Sequence, residues 1–104
     1  MKPALLLLAS LALGITQVQA STPQSWKQLD KTAQAACLKA SQLKDVKTIG
    51  NSARFADTVG YDALLLEGRY PQKHMNNRRG TELCLFHRQS GQASVTEWDS
   101  IERR

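Results

Sequence analysis

The sequence predicts an α+β domain, in which one N-terminal helix packs on a three- to four-stranded antiparallel meander. Three observations lead to this prediction. A helical stripe of small apolar residues comes early in the chain, strand-like runs separated by turn signals follow it, and two cysteines are placed to join the two parts. The chain beyond residue 20 is long enough for one small domain, and it contains no internal repeat.

Residues 1–20 have the pattern of a signal peptide. Lys2 supplies a positive charge, residues 4–15 are apolar, and residues 18–20 end in a small-x-small cleavage sequence. The apolar run is shorter than the roughly 20 residues that span a bilayer, so a retained signal anchor is the less favoured alternative. We therefore expect cleavage after Ala20, a single domain over residues 21–104, and no stable membrane insertion after cleavage. The expected location is periplasmic or secreted.

The charge balance favours anionic partners only mildly. The chain has 14 basic and 9 acidic residues, a net charge of +5, and loss of Lys2 with the leader lowers this by one. Such a modest charge does not indicate a nucleic-acid-binding protein, and an export signal argues against DNA or RNA as the partner. The expected partners are an unidentified protein or an anionic component of the cell envelope.

The first element is a helix over about Ser25–Lys44. Ser25 is a favourable N-cap, and Gln28 three residues later completes a capping-box pattern. Apolar residues then recur at steps of three and four, which places them on one side of the helix. This stripe consists of Trp26, Leu29, Ala33, Ala36, Cys37, Ala40 and Leu43.

The remaining chain reads as strands joined by turns. Leu64 and Leu66 alternate with Leu65, so the run Tyr61–Tyr70 is apolar on both faces, as a central strand should be. Before it we expect an irregular strand that bends near Gly50. After it we expect a ten-residue loop and two more strands. The predicted ranges are 46–56 for the irregular strand, 71–80 for the loop, and 81–88 and 92–98 for the last two strands.

The cysteines predict a disulfide that fixes which sheet face meets the helix. In an exported chain, Cys37 on the helical stripe and Cys84 in a strand are expected to pair. The layer beneath the helix is then predicted to contain Leu64, Leu66, Phe86, Val95 and Phe55. A metal site built from Cys37, Cys84, His74 and His87 is the alternative, but these residues lack the short paired spacing of zinc ligands. We therefore expect no metal and no cofactor.

Two surfaces are candidate binding sites. The sheet face away from the helix is expected to be an apolar partner or homodimer surface, unless the first strand, the loop or the tail covers it. It is predicted to contain Tyr61, Leu65, Leu83, Leu85 and Trp98. The loop after the central strand is rich in basic and amide side chains suited to anions, although many basic loops are only solvated. Its candidate residues are Arg69, Lys73, His74, Asn76, Asn77, Arg78 and Arg79.

The sequence gives little indication of catalysis. Neither His74 nor His87 has a Ser or Asp at a recognisable catalytic spacing, and no Gly-rich phosphate motif is present. The leading hypothesis is a small, exported, non-enzymatic binding or accessory protein. Two alternatives remain: a proteinaceous inhibitor of an extracellular or periplasmic hydrolase, and a homodimeric structural protein that associates with itself.

Overall fold

One helix covers one face of a four-stranded antiparallel sheet, as the sequence predicts. The computed structural model describes residues 22–101. Its elements are α1 (Pro23–Ala40), β1 (Lys44–Arg54), β2 (Tyr61–Arg69), a short 3₁₀ turn (Lys73–Met75), β3 (Arg79–His87) and β4 (Ala93–Glu97). The strands lie in the order β1-β2-β3-β4, each paired with its neighbour in sequence. Within residues 22–101, no helix is long and apolar enough to cross a membrane. The predicted leader lies outside these residues.

The helix begins and ends earlier than the sequence pattern suggests. Thr22, not Ser25, is the N-cap, and its Oγ1 accepts the backbone N–H of Ser25 at 3.0 Å. Pro23 stands at the first helical position, where its fixed φ favours the helix and its missing N–H costs nothing. At the other end, Ser41 adopts an extended conformation and its Oγ contacts Glu82 Oε1 at 2.6 Å. This contact turns the chain out of the helix after Ala40 instead of Lys44.

The disulfide lies at the centre of the core, as predicted. Cys37 and Cys84 are bonded, and both are fully buried between α1 and the sheet. The rest of the core consists of Ala33, Leu64, Leu66 and Phe86, with Val95 packed against it. Because Ala33 and Cys37 are small, α1 lies close to the sheet, and Phe86 fills the space beside the bond.

The prediction that Phe55 belongs to this core is wrong. Phe55 is 46% exposed and lies just beyond the end of β1, where its N–H bonds to Tyr61 O. The strand alternation used to place it fails because β1 is bulged twice, between Lys44 and Lys47 and between Ile49 and Ala53. Gly50 lies in the second bulge with φ +69°, at the bend that the sequence indicates.

Two facing glycines let other parts of the chain cross the end of the sheet. Gly68 and Gly80 are cross-strand neighbours, and both are buried on the α1 side. A Cβ at Gly68 would lie 2.6 Å from Lys44 O, and one at Gly80 would lie 2.8 Å from the Tyr70 ring. The connection from α1 to β1 and the Tyr70 ring therefore pack on this side of the sheet.

Candidate binding surface

The sheet side turned away from α1 is called the open face here. Because Leu64, Leu66, Cys84 and Phe86 face α1, strand alternation places their neighbours on the other side. Cross-strand register shows that β2 and β3 bring these neighbours together in pairs. The open face of these strands comprises Tyr61, Ala63, Leu65, Glu67 and Arg69 from β2, and Arg79, Thr81, Leu83, Leu85 and His87 from β3.

The centre of the open face is aliphatic. Ile49 is paired with Leu65, and Leu65 with Leu83, so three large aliphatic side chains lie in a row across β1, β2 and β3. Leu85 lies next to this row and is 36% exposed. In the part of the chain that the structure describes, α1 packs on the opposite side, and the 3₁₀ turn does not pack against the sheet. Neither element therefore covers this centre.

One end of the open face is aromatic. The Tyr61 and His87 rings are cross-strand neighbours whose centroids lie 4.8 Å apart. Tyr61 is 36% exposed. Such a pair adds a rigid, partly polar contact area at low entropic cost, which is a frequent property of residues that dominate protein interfaces.

The other end of the open face is basic. Arg69 and Arg79 are directly paired across β2 and β3, and Lys47 is paired with Glu67 on the same face. Like charges placed opposite each other destabilise a strand pair, so the pairing of Arg69 with Arg79 lowers the stability of the folded domain. Glu67 compensates only in part, since its carboxylate lies 3.5 Å from Arg79 and the Arg79 side chain is 65% exposed. An anionic group on a partner would relieve this repulsion.

The predicted basic loop is an ordered structure next to this end. Asn76 and Asn77 adopt left-handed conformations with φ of 50° and 57°, which asparagine tolerates better than most residues. Lys44 Nζ donates to Asn77 Oδ1, and Arg69 donates to Asn77 O, both at 3.0 Å. Asn77 therefore holds the loop to the sheet. Lys73, His74 and Arg78 are exposed on the loop.

The structure thus joins two residues of the predicted basic loop to the predicted apolar face. Arg69 and Arg79, assigned from sequence to the loop, belong to the strands and share a face with Tyr61, Leu65, Leu83 and Leu85. Trp98 follows β4 and is half-buried. Its backbone N–H donates to Thr81 O at 2.9 Å. This bond places Trp98 opposite Thr81, at the β4 side of the open face.

A cluster of charged residues that sequence reasoning missed lies behind the aromatic end. The Asp62 side chain is fully buried on the α1 side, and it accepts hydrogen bonds from Arg54 and Arg88. Arg54 also contacts Asp30 of α1 and lies 4.4 Å from the centroid of the Trp26 ring. Burial disfavours the charge on Arg54, but its bonds to the two aspartates outweigh this effect and raise its pKa.

The ion pairs of this cluster connect α1, β1, β2 and the end of β3, so they stabilise the packing of these elements. A signal for it was present in the sequence, because Asp62 alternates in phase with Leu64 and Leu66 on the helix-facing side of the central strand. A carboxylate at such a position needs a cationic partner nearby. The sequence does not say which of its many arginines supplies the charge.

A second polar contact, which is only partly buried, lies at the opposite end of the sheet. The Tyr70 hydroxyl lies 3.0 Å from Glu97 Oε2 and 3.2 Å from Asp99 Oδ2, so the two carboxylates share its one proton. Burial and the two carboxylates raise the pKa of Tyr70 to about 12. Together with the packing of its ring on Gly80, these bonds fix the start of the loop to the end of β4.

The structure brings one serine into contact with a histidine. Ser90 Oγ lies 2.7 Å from His87 Nδ1, within the turn between β3 and β4. Ser90 N also donates to Nδ1 at 3.2 Å, so this nitrogen already accepts a backbone proton and the contact stabilises the turn. Within residues 22–101, no three His, Cys, Asp or Glu side chains are grouped so that they could hold a metal ion.

Comparison with known proteins identifies no relative of this chain. No protein-family model, curated protein or solved structure matches this chain.

Proposed function

We propose that this chain is an exported, non-enzymatic protein that binds a partner protein through its open face. The observation that carries the proposal is the continuity of that face: an aliphatic centre that neither α1 nor the 3₁₀ turn covers lies between an aromatic end and a basic end. Aromatic and arginine side chains around an apolar centre are the composition of protein interaction surfaces. The partner is expected to have an apolar patch bordered by carboxylates.

The dimensions of the face define this partner further. Leu65 and Arg69 are four residues apart on β2, which corresponds to about 13 Å at a strand rise of about 3.3 Å per residue. The partner's acidic group should lie about this far from the centre of its apolar patch. Charge complementarity at this distance fixes orientation and speeds association, while the apolar centre provides most of the affinity.

Export is part of the proposal. The signal-like residues 1–20 support it, and the buried Cys37–Cys84 bond is typical of a protein that folds in an oxidising compartment. With only one bond and a small core, a domain of this size depends on the disulfide for much of its stability.

Site-specific photo-crosslinking in the producing cells tests the proposal. A photoreactive phenylalanine at Leu85 should give a discrete adduct with another protein, while the same group at exposed Lys31, on α1 on the other side of the sheet, should not. Replacing Arg69 and Arg79 with Glu should strongly reduce the Leu85 adduct, because the anionic contact becomes repulsive. No adduct, or an adduct that forms equally from Lys31, would contradict the proposal. An adduct of twice the chain's mass would favour the homodimer alternative.

The ordered loop favours a second candidate, inhibition of a hydrolase. Loop residues Lys73, His74 and Arg78 are exposed, while backbone bonds from Asn76 N to Lys73 O and from Arg78 N to Met75 O preorganise the segment. Preorganisation lowers the entropic cost of inserting a loop into an enzyme cleft. The candidate predicts near-stoichiometric inhibition of a secreted or periplasmic hydrolase. Replacing Lys73 and His74 with Ala should abolish this inhibition, whereas Leu85→Glu should not.

A further inference from the structure

The two edges of the sheet differ in how well they can accept another strand. The β1 edge is interrupted by two bulges, and Asp45 and Gly50 within them have positive φ. Bulges and charges are the usual devices that prevent pairing at an exposed edge. The β4 edge has no register shift against β3 over Ala93–Glu97, and its single charged residue is Glu97.

The register shows which backbone groups of β4 point outward. His87 N bonds to Gln92 O, and Trp98 N bonds to Thr81 O, so the pairs formed by Ser94 and Thr96 with β3 are the hydrogen-bonded ones. The N–H and C=O groups of Ala93, Val95 and Glu97 therefore point away from the sheet. Of these six outward groups, the Glu97 C=O alone has a hydrogen-bond partner among residues 22–101, and that partner is the Ser100 hydroxyl.

A groove lies beside this edge. It has a volume of about 640 Å³ and separates the first three turns of α1 from the turn between β3 and β4. Leu29 and Phe86 provide its apolar lining, and Gln28, Thr32 and Ser90 provide polar groups. Phe86 is the cross-strand neighbour of Ala93, so the groove adjoins the Ala93 end of β4. At the other end of β4 lie the carboxylates of Glu97 and Asp99.

We propose that an extended segment of a partner protein pairs with β4 and places an apolar side chain in this groove. Outward N–H and C=O groups at alternate residues match the spacing of another extended backbone, and the adjoining pocket then selects side chains. Because the carboxylates lie at the Glu97 end, the segment carries a basic residue about four positions from the apolar one, or about 13 Å away. This site is separate from the open face and does not depend on it.

A second copy of the chain fits this edge less well. Two β4 strands paired antiparallel about Val95 would form up to six hydrogen bonds, each with a net value of about 0.5–1.5 kcal/mol. The total is comparable to the free-energy cost of association, about 4–15 kcal/mol. Such a pairing of two β4 strands also leaves the groove empty. A flexible segment adds burial against half-buried Leu29, which a folded copy of the domain does not.

Peptide display tests the proposal on the full protein with its disulfide intact. A library of 12-residue peptides is selected on the wild type and counter-selected on Val95→Pro. This substitution removes an outward N–H and leaves every bond between β3 and β4. We expect peptides with one apolar and one basic residue about four positions apart. Their affinity should fall at least tenfold in Val95→Pro and in Thr32→Arg, which fills the groove from a different element, and should be unchanged in Leu85→Glu.

Amide exchange measured by NMR locates the binding and remains informative if Val95→Pro weakens the fold. In the wild type, the amides of Ala93, Val95 and Glu97 should exchange rapidly and become protected when a selected peptide binds, while those of Ser94 and Thr96 are protected throughout. Peptides that bind without protecting these three amides, or the absence of any enriched sequence, would overturn the proposal. Protection that rises with protein concentration alone would replace the partner segment with a second copy.

Discussion

Replacing Asp62 with asparagine removes the charge at the centre of the buried cluster and nearly preserves the size of the side chain. Asp62 accepts bonds from the Arg54 guanidinium at 3.2–3.3 Å and from Arg88, and its own side chain has no solvent exposure. In the variant, one carboxylate oxygen becomes an amide N–H₂ group, which places a donor against a guanidinium donor. The amide carbonyl still accepts a hydrogen bond, but no negative charge remains at this buried position to balance the two guanidinium groups.

The expected loss of stability is about 3 kcal/mol. Removing one partner of a buried ion pair typically costs about 3–5 kcal/mol. The lower value applies here because Arg54 and Arg88 are 29% and 12% exposed and keep contacts to Asp30 and Asp57. A domain of this length has a total stability of about 4–12 kcal/mol, so the variant should lose a large fraction of it.

The assay is urea denaturation followed by the fluorescence of the two tryptophans, with Asp57→Asn as the matched control. Asp57 contacts the same Arg88, but its side chain is 96% exposed. With a slope of about 1–1.5 kcal/mol/M, Asp62→Asn should lower the midpoint by about 2–3 M. The control should change the free energy of unfolding by less than about 0.5 kcal/mol. Equal midpoint shifts for the two variants would refute the reasoning, because burial would then not determine the cost.

Three further predictions concern other parts of the molecule. Because folding raises the pKa of Tyr70 from 10.0 to about 12, its stabilising contribution is complete below pH 10 and is lost as the pH rises through about 12. Tyr70→Phe should therefore lose less stability than the wild type between these values in denaturation curves; parallel losses would contradict this. Replacing Cys37 and Cys84 with Ala opens a loop with a sequence separation of 47 and should cost up to about 4 kcal/mol, measured as a lowered urea midpoint; an unchanged midpoint would show that packing alone holds α1. Leu85→Glu should leave the fold and the solution mass unchanged by light scattering, whereas conversion of a wild-type dimer to a monomer would assign the open face to self-association.

Local patterns in the sequence determined the elements and the pairing of the layers. The apolar period of three to four around Ala33 and Cys37 predicts α1, because its small residues lie on one side of a helix. The alternation around Leu65 and Leu83 predicts β2 and β3 as strands. One covalent bond then decides which sheet face meets the helix, since Cys37 and Cys84 must face each other. These features depend on neighbours in the sequence, so they are readable from it.

Only the tertiary structure decided how the surfaces are combined. The cross-strand register pairs Arg69 with Arg79, which places the basic residues and the aliphatic centre on one continuous face. The two bulges in β1 leave Phe55 exposed, although the alternation of side chains along the predicted strand places it in the layer beneath α1. The partners of Asp62 come from β1 and from the end of β3. Register, bulges and long-range ion pairs depend on how distant segments meet in space, and periodicity within one segment carries no information about them.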